Sequence, residues 1–176
     1  MSEASPATGP VKTGSGVIKW LIGGALLLAI VAGLVWAGTR SQVAAVRTAD
    51  MAYLAANAKK PDVVTTATGL QYQVVRNGTG ARPKPTDTVL VHYEGRLVDA
   101  AHTVFDSSYQ RGQPAAFPVN AVIPGWTEAL QLMPAGSKVR IMLPPELGYG
   151  SAGAGGAIPP GAVLEFDVEL LAIKPS

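Results

Sequence analysis

The chain has 176 residues, of which 48% are hydrophobic and 15% are charged, so it can bury one ordinary core. It contains no cysteine, which excludes disulfide scaffolds, thiolate nucleophiles and thiolate metal sites. The formal net charge is only +2 and no basic cluster is visible, so the sequence does not indicate a nucleic-acid-binding surface.

The N-terminal segment differs in composition from the rest of the chain. Residues 1–16 are small, polar and rich in Gly, Pro and Ser, which predicts a disordered tail. Residues 17–37 are almost purely apolar, with Lys19 near the start and Trp20 and Trp36 near the two ends. This run matches the ~20 residues that a helix needs to cross a bilayer, and Trp favours the membrane interface. We therefore predict a transmembrane signal-anchor helix over residues 17–37; a buried soluble helix is the alternative.

The sequence leaves the processing and the orientation of this helix open. Val35–Ala37 places small residues where a signal peptidase could cut, but the apolar run is longer than that of a usual signal peptide. We expect an uncleaved anchor, with a cleaved signal as the alternative. Lys12 and Lys19 flank the helix on one side and Arg40 and Arg47 on the other, so charge does not decide the orientation.

Residues 38–62 are predicted to form a helical stalk or linker. Apolar residues recur at roughly helical spacing between Val43 and Leu54, and Pro61 ends the run. The segment is rich in Ala, Gln, Arg, Met and Leu, which are good helix formers.

From Leu70 onward, apolar and polar side chains alternate with a period of two in several segments, which predicts strands. The predicted strands are Leu70–Val75, Thr88–Glu94, Ser137–Leu143 and Val163–Ile173. One short helix is predicted over Gly125–Gln131. Strands paired with their sequence neighbours in hairpins, with one helix on a face, make an α+β domain. We predict such a domain, an antiparallel sheet wrapped around one short helix, over residues 63–176.

Two patterns that could carry other chemistry are interpreted as structural. Gly148–Gly153 satisfies G-x-G-x-x-G, but it runs into more glycine and two prolines, so no helix follows to bind a dinucleotide. Glu165, Asp167 and Glu169 alternate along a strand, which is typical of a solvated sheet face rather than a cation site. We therefore expect neither a metal ion nor a cofactor.

Four segments indicate an apolar, aromatic cup that holds and desolvates a ligand. They are Val91–Gly95, Val104–Ser108, Val122–Met133 and Tyr149–Pro160. They offer aromatic rings and rigid turns but no nucleophile-elbow sequence. At these spacings the chain, from Val63 to Lys174, resembles the FKBP-type peptidyl-prolyl cis–trans isomerases. The alternative interpretation is that the aromatic residues only form a core.

The resemblance implies the roles of individual residues. The residues expected to act in catalysis are Tyr93, Phe105, Asp106 and Tyr149. Those expected to bind substrate are Arg111, Val122, Ile123, Trp126, Ile158 and Phe166. Asp106 would accept hydrogen bonds from Tyr93 and Arg111, and the Tyr149 hydroxyl would donate to the substrate carbonyl. Ala115 stands where some family members carry an aromatic wall residue, which predicts a broader pocket.

The resemblance also implies function and location. The expected activity is isomerisation of X–Pro bonds during the folding of exported proteins; the alternative is a non-catalytic chaperone or binding module for unfolded or proline-containing segments. Proline-containing polypeptides are the expected substrates, macrolides the expected inhibitors, and the chain is expected to be a monomer. Bacterial relatives of this type are commonly exported, so we expect a single-pass inner-membrane protein with residues 1–16 in the cytoplasm and the domain in the periplasm. A soluble periplasmic protein would result from a cleaved signal.

Overall fold

The computed structural model of the chain describes residues 44, 45 and 47–176. The predicted tail, 1–16, and the predicted membrane helix, 17–37, lie outside these residues. Within the part of the chain that is described, no helix is both long and apolar enough to span a bilayer.

The described residues begin with helix α1, which covers 44, 45 and 47–57. Leu54 of this helix is buried against Met142 and Val163 of the sheet region. Asn57 donates a hydrogen bond to the buried Gln71 side chain at 2.8 Å. The helix therefore packs on the folded unit, although its residues belong to the predicted stalk.

A seven-stranded antiparallel sheet forms the body of this unit. Its strands are β1 Val64–Thr65, β2 Gln71–Arg76, β3 Thr88–Leu97, β4 Val104–Ser107, β5 Ala115–Pro118, β6 Lys138–Leu143 and β7 Leu164–Lys174. The order across the sheet is β1-β2-β6-β7-β3-β4, and β5 also pairs with β3. Strand β3 is long enough for β4 to pair with its second half and β5 with its first half.

Helix α2, Pro124–Leu132, lies on one face of the sheet and completes the main core. Pro124 occupies the first turn, where its missing N–H costs no hydrogen bond, and Pro134 follows directly after the C-cap residue Met133. The buried residues Trp126, Ala129 and Leu130 face the sheet, as the spacing predicted. The predicted α+β class, with a sheet around a short helix, is confirmed, and the four predicted strands lie within a few residues of their predicted bounds.

The predicted hairpin pairing of sequence neighbours is wrong for β2 and β3. Strand β2 pairs with β1 and β6, whereas β3 pairs with β4, β5 and β7. The physical reason lies at Gly78, which lies against the backbone of residues 134–137, between α2 and β6. A Cβ on Gly78 would come within 2.4 Å of the Ala135 carbonyl oxygen. The loop after β2 is thus held across the end of α2, away from β3.

The predicted solvated face of β7 is also wrong for two of its three carboxylates. Glu165 is 4% exposed and Asp167 is 8% exposed. Arg96 on β3 contacts both, at 2.8 Å and 3.1 Å, and Arg140 on β6 contacts Asp167 at 2.8 Å. Cross-strand register explains these contacts, since Arg96 is opposite Glu165 and Arg140 is opposite Asp167.

Candidate functional site

A cavity of about 290 Å³ opens on the α2 face of the sheet. Its lining residues are Tyr93, Phe105, Asp106, Phe117, Ala121, Val122, Ile123, Trp126, Tyr149 and Phe166. These side chains come from four strands, from helix α2 with the segment before it, and from the loop after β6. A rigid sheet therefore fixes most of the wall.

The Trp126 indole is the centre of the aromatic wall. Its ring meets Tyr93 edge-on with centroids 5.2 Å apart, and Phe166 at 5.4 Å. Phe105 meets Phe166 in the same edge-on manner at 5.5 Å. Such edge-to-face contacts stabilise an aromatic cluster beyond simple burial, so the rings hold one another in place.

Gly95 on β3 permits the approach of the two phenylalanine rings. A Cβ at this position would lie 2.6 Å from the Phe166 ring and 2.7 Å from the Phe105 ring. Any larger residue would push one of these rings out of the wall. The glycine in the Val91–Gly95 segment is thus required by packing.

One charged group lies in this wall, the carboxylate of Asp106. It accepts hydrogen bonds from the Tyr93 hydroxyl and from the Arg111 guanidinium. Partial burial opposes ionisation of Asp106, but these two hydrogen bonds and the charge of Arg111 outweigh it and lower its pKa. Burial, together with the bond to Asp106, raises the pKa of Tyr93. Asp106 is therefore an anion and Tyr93 a neutral donor at neutral pH.

Tyr149 stands at the rim of the cavity with its ring 40% exposed. The loop that carries it is fixed behind it, because the Gly150 N–H donates to the Pro145 carbonyl at 2.8 Å. Gly161 closes the loop with a hydrogen bond to the Gly150 carbonyl at 2.9 Å. Tyr149 is thus partly exposed at the cavity mouth, on a loop that these hydrogen bonds brace.

Eight of the ten residues predicted for the site line this cavity: Tyr93, Phe105, Asp106, Val122, Ile123, Trp126, Tyr149 and Phe166. The other two lie outside its lining. Arg111 holds Asp106 and donates to the Tyr93 hydroxyl at 2.8 Å from the exposed side. Ile158 is buried in the core and forms an isolated β-bridge with Ala154.

Two lining residues, Phe117 and Ala121, were missed by sequence reasoning. Phe117 stacks edge-on against Trp126 at 5.8 Å and supplies an aromatic wall close to the predicted gap at Ala115. The signal was present but weak, since β5 is only four residues long and reads Ala-Ala-Phe-Pro. A lone aromatic residue in such a short segment does not show which face of the strand is buried.

The described residues contain no group of three or more His, Asp or Glu side chains arranged to hold a metal ion. The side chains that line the cavity offer an apolar, aromatic surface and the hydrogen-bonding groups of Tyr93, Asp106 and Tyr149.

Comparison with known proteins finds sequences and structures similar to this chain. A family model for "FKBP-type peptidyl-prolyl cis-trans isomerase" matches residues 80–171, more than half of the chain, and a model for the domain amino-terminal to such isomerases matches 35–74. An FKBP-type isomerase, FkpA, of Aeromonas hydrophila is 64% identical over 122 residues, covering 69% of this chain and 44% of the relative. "Outer membrane protein MIP" of Legionella longbeachae is 50% identical over 123 residues, covering 70% and 52%.

A solved structure, that of FkpA from Escherichia coli, superposes with a TM-score of 0.78 at 42% identity. The match covers 93% of this chain and 75% of that structure. The chain spans about half the length of the curated relatives it matches.

Proposed function

We propose that this chain, which belongs to the FKBP-type peptidyl-prolyl cis–trans isomerase family, accelerates the cis–trans isomerisation of X–Pro bonds in polypeptides. The observation that carries the proposal is the cavity itself. Aromatic and aliphatic walls surround Trp126, and Asp106 is the only charged side chain among the lining residues. Such a cavity accepts an apolar ring, as proline has, and places no group to attack it.

The mechanism follows from the electronic structure of the imide bond. Resonance gives the C–N bond partial double-bond character, so rotation faces a barrier of ~18–20 kcal/mol. Unaided X–Pro isomerisation takes tens to hundreds of seconds. Water stabilises the planar form by hydrogen bonding to its polarised oxygen, and an apolar cavity removes that stabilisation. A ~10⁶-fold acceleration requires ~8 kcal/mol of preference for the twisted state.

Each polar group has a defined task in this mechanism. Asp106, fixed by Tyr93 and Arg111, supplies a negative charge next to the bound imide without exchanging a proton. Tyr149 donates from the rim to a substrate carbonyl and so aligns the chain. Val122 and Ile123 meet the substrate backbone. Since no side chain loses a proton, the lowered pKa of Asp106 serves to keep its charge, not to make it a base.

The competing function is a binding module that grips unfolded segments without accelerating rotation. Refolding of a protein whose slow phase is limited by one X–Pro bond separates the two. The full chain is added at micromolar concentration, and the rate constant of the slow phase is measured. We expect the rate constant to rise in proportion to the added chain. An unchanged slow phase together with retained binding of the unfolded protein would establish the binding module.

We also propose that the isomerase domain works outside the inner membrane on exported, proline-containing polypeptides. The apolar run 17–37 supports this location, as does a relative whose name places it in an outer membrane. Protease added to spheroplasts is expected to digest the domain while a cytoplasmic control survives. Full protection of a membrane-bound chain would reverse the orientation, and a soluble product beginning at Gly38 would establish a cleaved signal.

Two smaller proposals concern ligands and assembly. The cavity has the size and aromatic lining to accept the apolar part of a macrolide inhibitor, and the chain acts as a monomer. Competition by a macrolide in the refolding assay tests the first, and sedimentation equilibrium of the full chain tests the second. Unchanged isomerisation at saturating macrolide, or a stable dimer mass, would contradict them.

A further inference from the structure

A second, smaller cavity of about 140 Å³ lies at the C-terminal end of helix α2, between that helix and strands β2 and β6. Its lining residues are Tyr72, Val74, Asn77, Arg82, Ala129, Leu132, Met133, Pro134, Ser137, Val139 and Ile141. It shares no lining residue with the cup around Trp126. The proposed isomerase mechanism makes no use of it.

The mouth of this cavity carries exposed apolar side chains. Val74 on β2 is 46% exposed, and Leu132 at the end of α2 is 40% exposed. A single exposed apolar side chain of this size is common on protein surfaces, but here two of them border a concave site. Across the strand, Val75 is 53% exposed, and it does not line the cavity.

The backbone next to the cavity is an open sheet edge. Strand β1 pairs only with Gln71 and Tyr72 of β2. Gln73 donates a hydrogen bond to Asp62, just before β1, and from Val74 to Arg76 no strand of the described chain lies along the outer side of β2. Such an edge offers unpaired N–H and C=O groups to another extended chain.

A braced loop adds a positive charge at the rim. The loop after β2 is held by the Gly80 N–H, which donates to the Ala135 carbonyl at 3.1 Å, and by the Ala135 N–H, which donates to the Ala81 carbonyl at 2.8 Å. These bonds place Arg82 in the cavity lining. Within residues 47–176, Arg82 takes part in none of the ion pairs, which involve Arg47, Arg76, Arg96, Arg111 and Arg140. The buried Ser137 hydroxyl in the same lining also makes no hydrogen bond within the described residues.

We propose that this surface binds an extended polypeptide segment as an additional strand along β2. One apolar side chain of the segment enters the second cavity, and an acidic residue two positions away contacts Arg82. Backbone pairing requires an extended chain, and alternate residues of a strand share a face, which sets the two-residue spacing. A cavity of ~150 Å³ accepts a benzene-sized group, so this one fits a single side chain. The unpaired guanidinium selects the carboxylate.

The inference goes beyond isomerisation, since the segment needs no proline. The chain would thus have a second binding site for an unfolded polypeptide, separate from the cup around Trp126. The other occupant that an open edge could take is a second copy of this chain. The experiment below separates the two.

The test uses the full chain and two fluorescein-labelled, proline-free peptides, Thr-Glu-Thr-Leu-Thr-Glu-Thr and its counterpart with Lys in place of Glu. Fluorescence anisotropy measures binding. We expect the Glu peptide to bind about tenfold more tightly than the Lys peptide, a preference that Arg82→Glu should reverse. Val74→Lys should weaken binding of the Glu peptide by about tenfold or more, while Val75→Lys on the opposite face changes it less than about twofold.

Circular dichroism melting of each variant confirms that it is folded. The proposal is overturned if the Glu peptide shows no saturable binding, or if Val75→Lys weakens it as much as Val74→Lys does. It is also overturned if the chain self-associates and Val74→Lys abolishes the association, because the edge then belongs to a second copy. None of these results depends on isomerase activity, since the peptides lack proline.

Discussion

The two faces of the sheet hold the molecule together by different means. On the α2 face, apolar and aromatic residues of β3, β6 and β7 surround Trp126 and form the core and the cup. On the α1 face, the same strands present buried ion pairs. Phe166 in the cup wall stands between Glu165 and Asp167 in sequence, so one strand serves both faces. Phe166 of the cup wall is thus flanked in sequence by two carboxylates that form ion pairs on the opposite face.

The energetics of the two faces differ in kind. Apolar contacts lose stability in proportion to the atoms removed and the cavity left. A buried ion pair contributes little in net terms, yet removing one partner leaves an unpaired buried charge. Arg96 contacts Glu94, Glu165 and Asp167, so it is the hub of the α1 face. Tyr53 of α1 adds a hydrogen bond to Glu165 at 2.9 Å.

Removing a ring from the cup should have the largest effect. Phe166 is 4% exposed and contacts both Trp126 and Phe105. We expect Phe166→Ala to lower the free energy of unfolding by ~3–5 kcal/mol and to abolish isomerase activity. Urea denaturation measures the first effect. Leu171→Ala on the same strand, at an exposed position, is the control and should cost far less. Equal losses for the two would show that the cup is not part of the cooperative core.

Breaking the hub of the other face should cost nearly as much. Arg96→Met keeps most of the side-chain volume but leaves Glu165 and Asp167 without one of their cations. We expect a loss of ~3 kcal/mol. The matched control is Arg76→Met. The Arg76 side chain, which pairs with Glu169, is 55% exposed, so this substitution should change stability by less than ~1 kcal/mol. A neutral Arg96→Met would mean that the α1 face is solvated after all.

The sequence predicted the apolar α2 face of the sheet but not the ion pairs of the α1 face. The alternation of apolar and polar residues located β3, β6 and β7, because every second side chain of each strand is buried in the main core. Alternation alone assigned Glu165 and Asp167 to solvent, since no pattern in β7 reveals that Arg96 of β3 and Arg140 of β6 pair with them. The strand order was not predictable either, because pairing of β2 with β6 joins residues far apart in the chain.

The lining of the cavity was predicted to the extent that its residues stand in recognisable segments. Phe105, Asp106 and Tyr149 belong to such segments and line the cavity. Phe117 does not, because a four-residue strand is too short to show a period. Arg111 was correctly expected to contact Asp106, but its guanidinium approaches from the exposed side and not from the cavity.

The groups proposed to act in catalysis should affect turnover more than stability. Asp106→Val removes the charge in the wall, and we expect kcat/KM to fall about tenfold or more, equivalent to ~1.4 kcal/mol of transition-state stabilisation. Tyr149→Phe removes one exposed hydroxyl and should raise KM modestly with an unchanged melting temperature. A protease-free assay with a proline tetrapeptide measures both. Full turnover by a normally folded Asp106→Val would remove Asp106 from the catalytic site.

The smallest expected effect concerns how α1 is attached, and its size changes with pH. Asp50 of α1 is buried and accepts a hydrogen bond from the Val163 N–H at 2.9 Å. Burial raises its pKa above the ordinary 3.8, and the hydrogen bond only partly offsets this. Folding therefore favours the protonated form, and the ionised form lowers stability as pH rises above 3.8. Asp50→Asn keeps an acceptor for Val163 without the charge.

We expect Asp50→Asn to be more stable than the parent chain at pH 7, with the difference vanishing as pH falls below 3.8. Asp99, whose negative charge also helps to raise the pKa of Asp50, has a pKa shift of the opposite sign. Hydrogen bonds from the backbone and side chain of Thr103 lower its pKa, so its ionised form contributes stability above pH 3.8 that is lost as pH falls. Asp99→Asn should thus be less stable than the parent at pH 7 and equal to it at low pH. Thermal melting of both variants from pH 3 to pH 7 measures the two trends. If Asp50→Asn instead loses stability at pH 7, the hydrogen bond from Val163 to the ionised Asp50 outweighs the cost of burying the charge. The Asp50 carboxylate would then stabilise the attachment of α1.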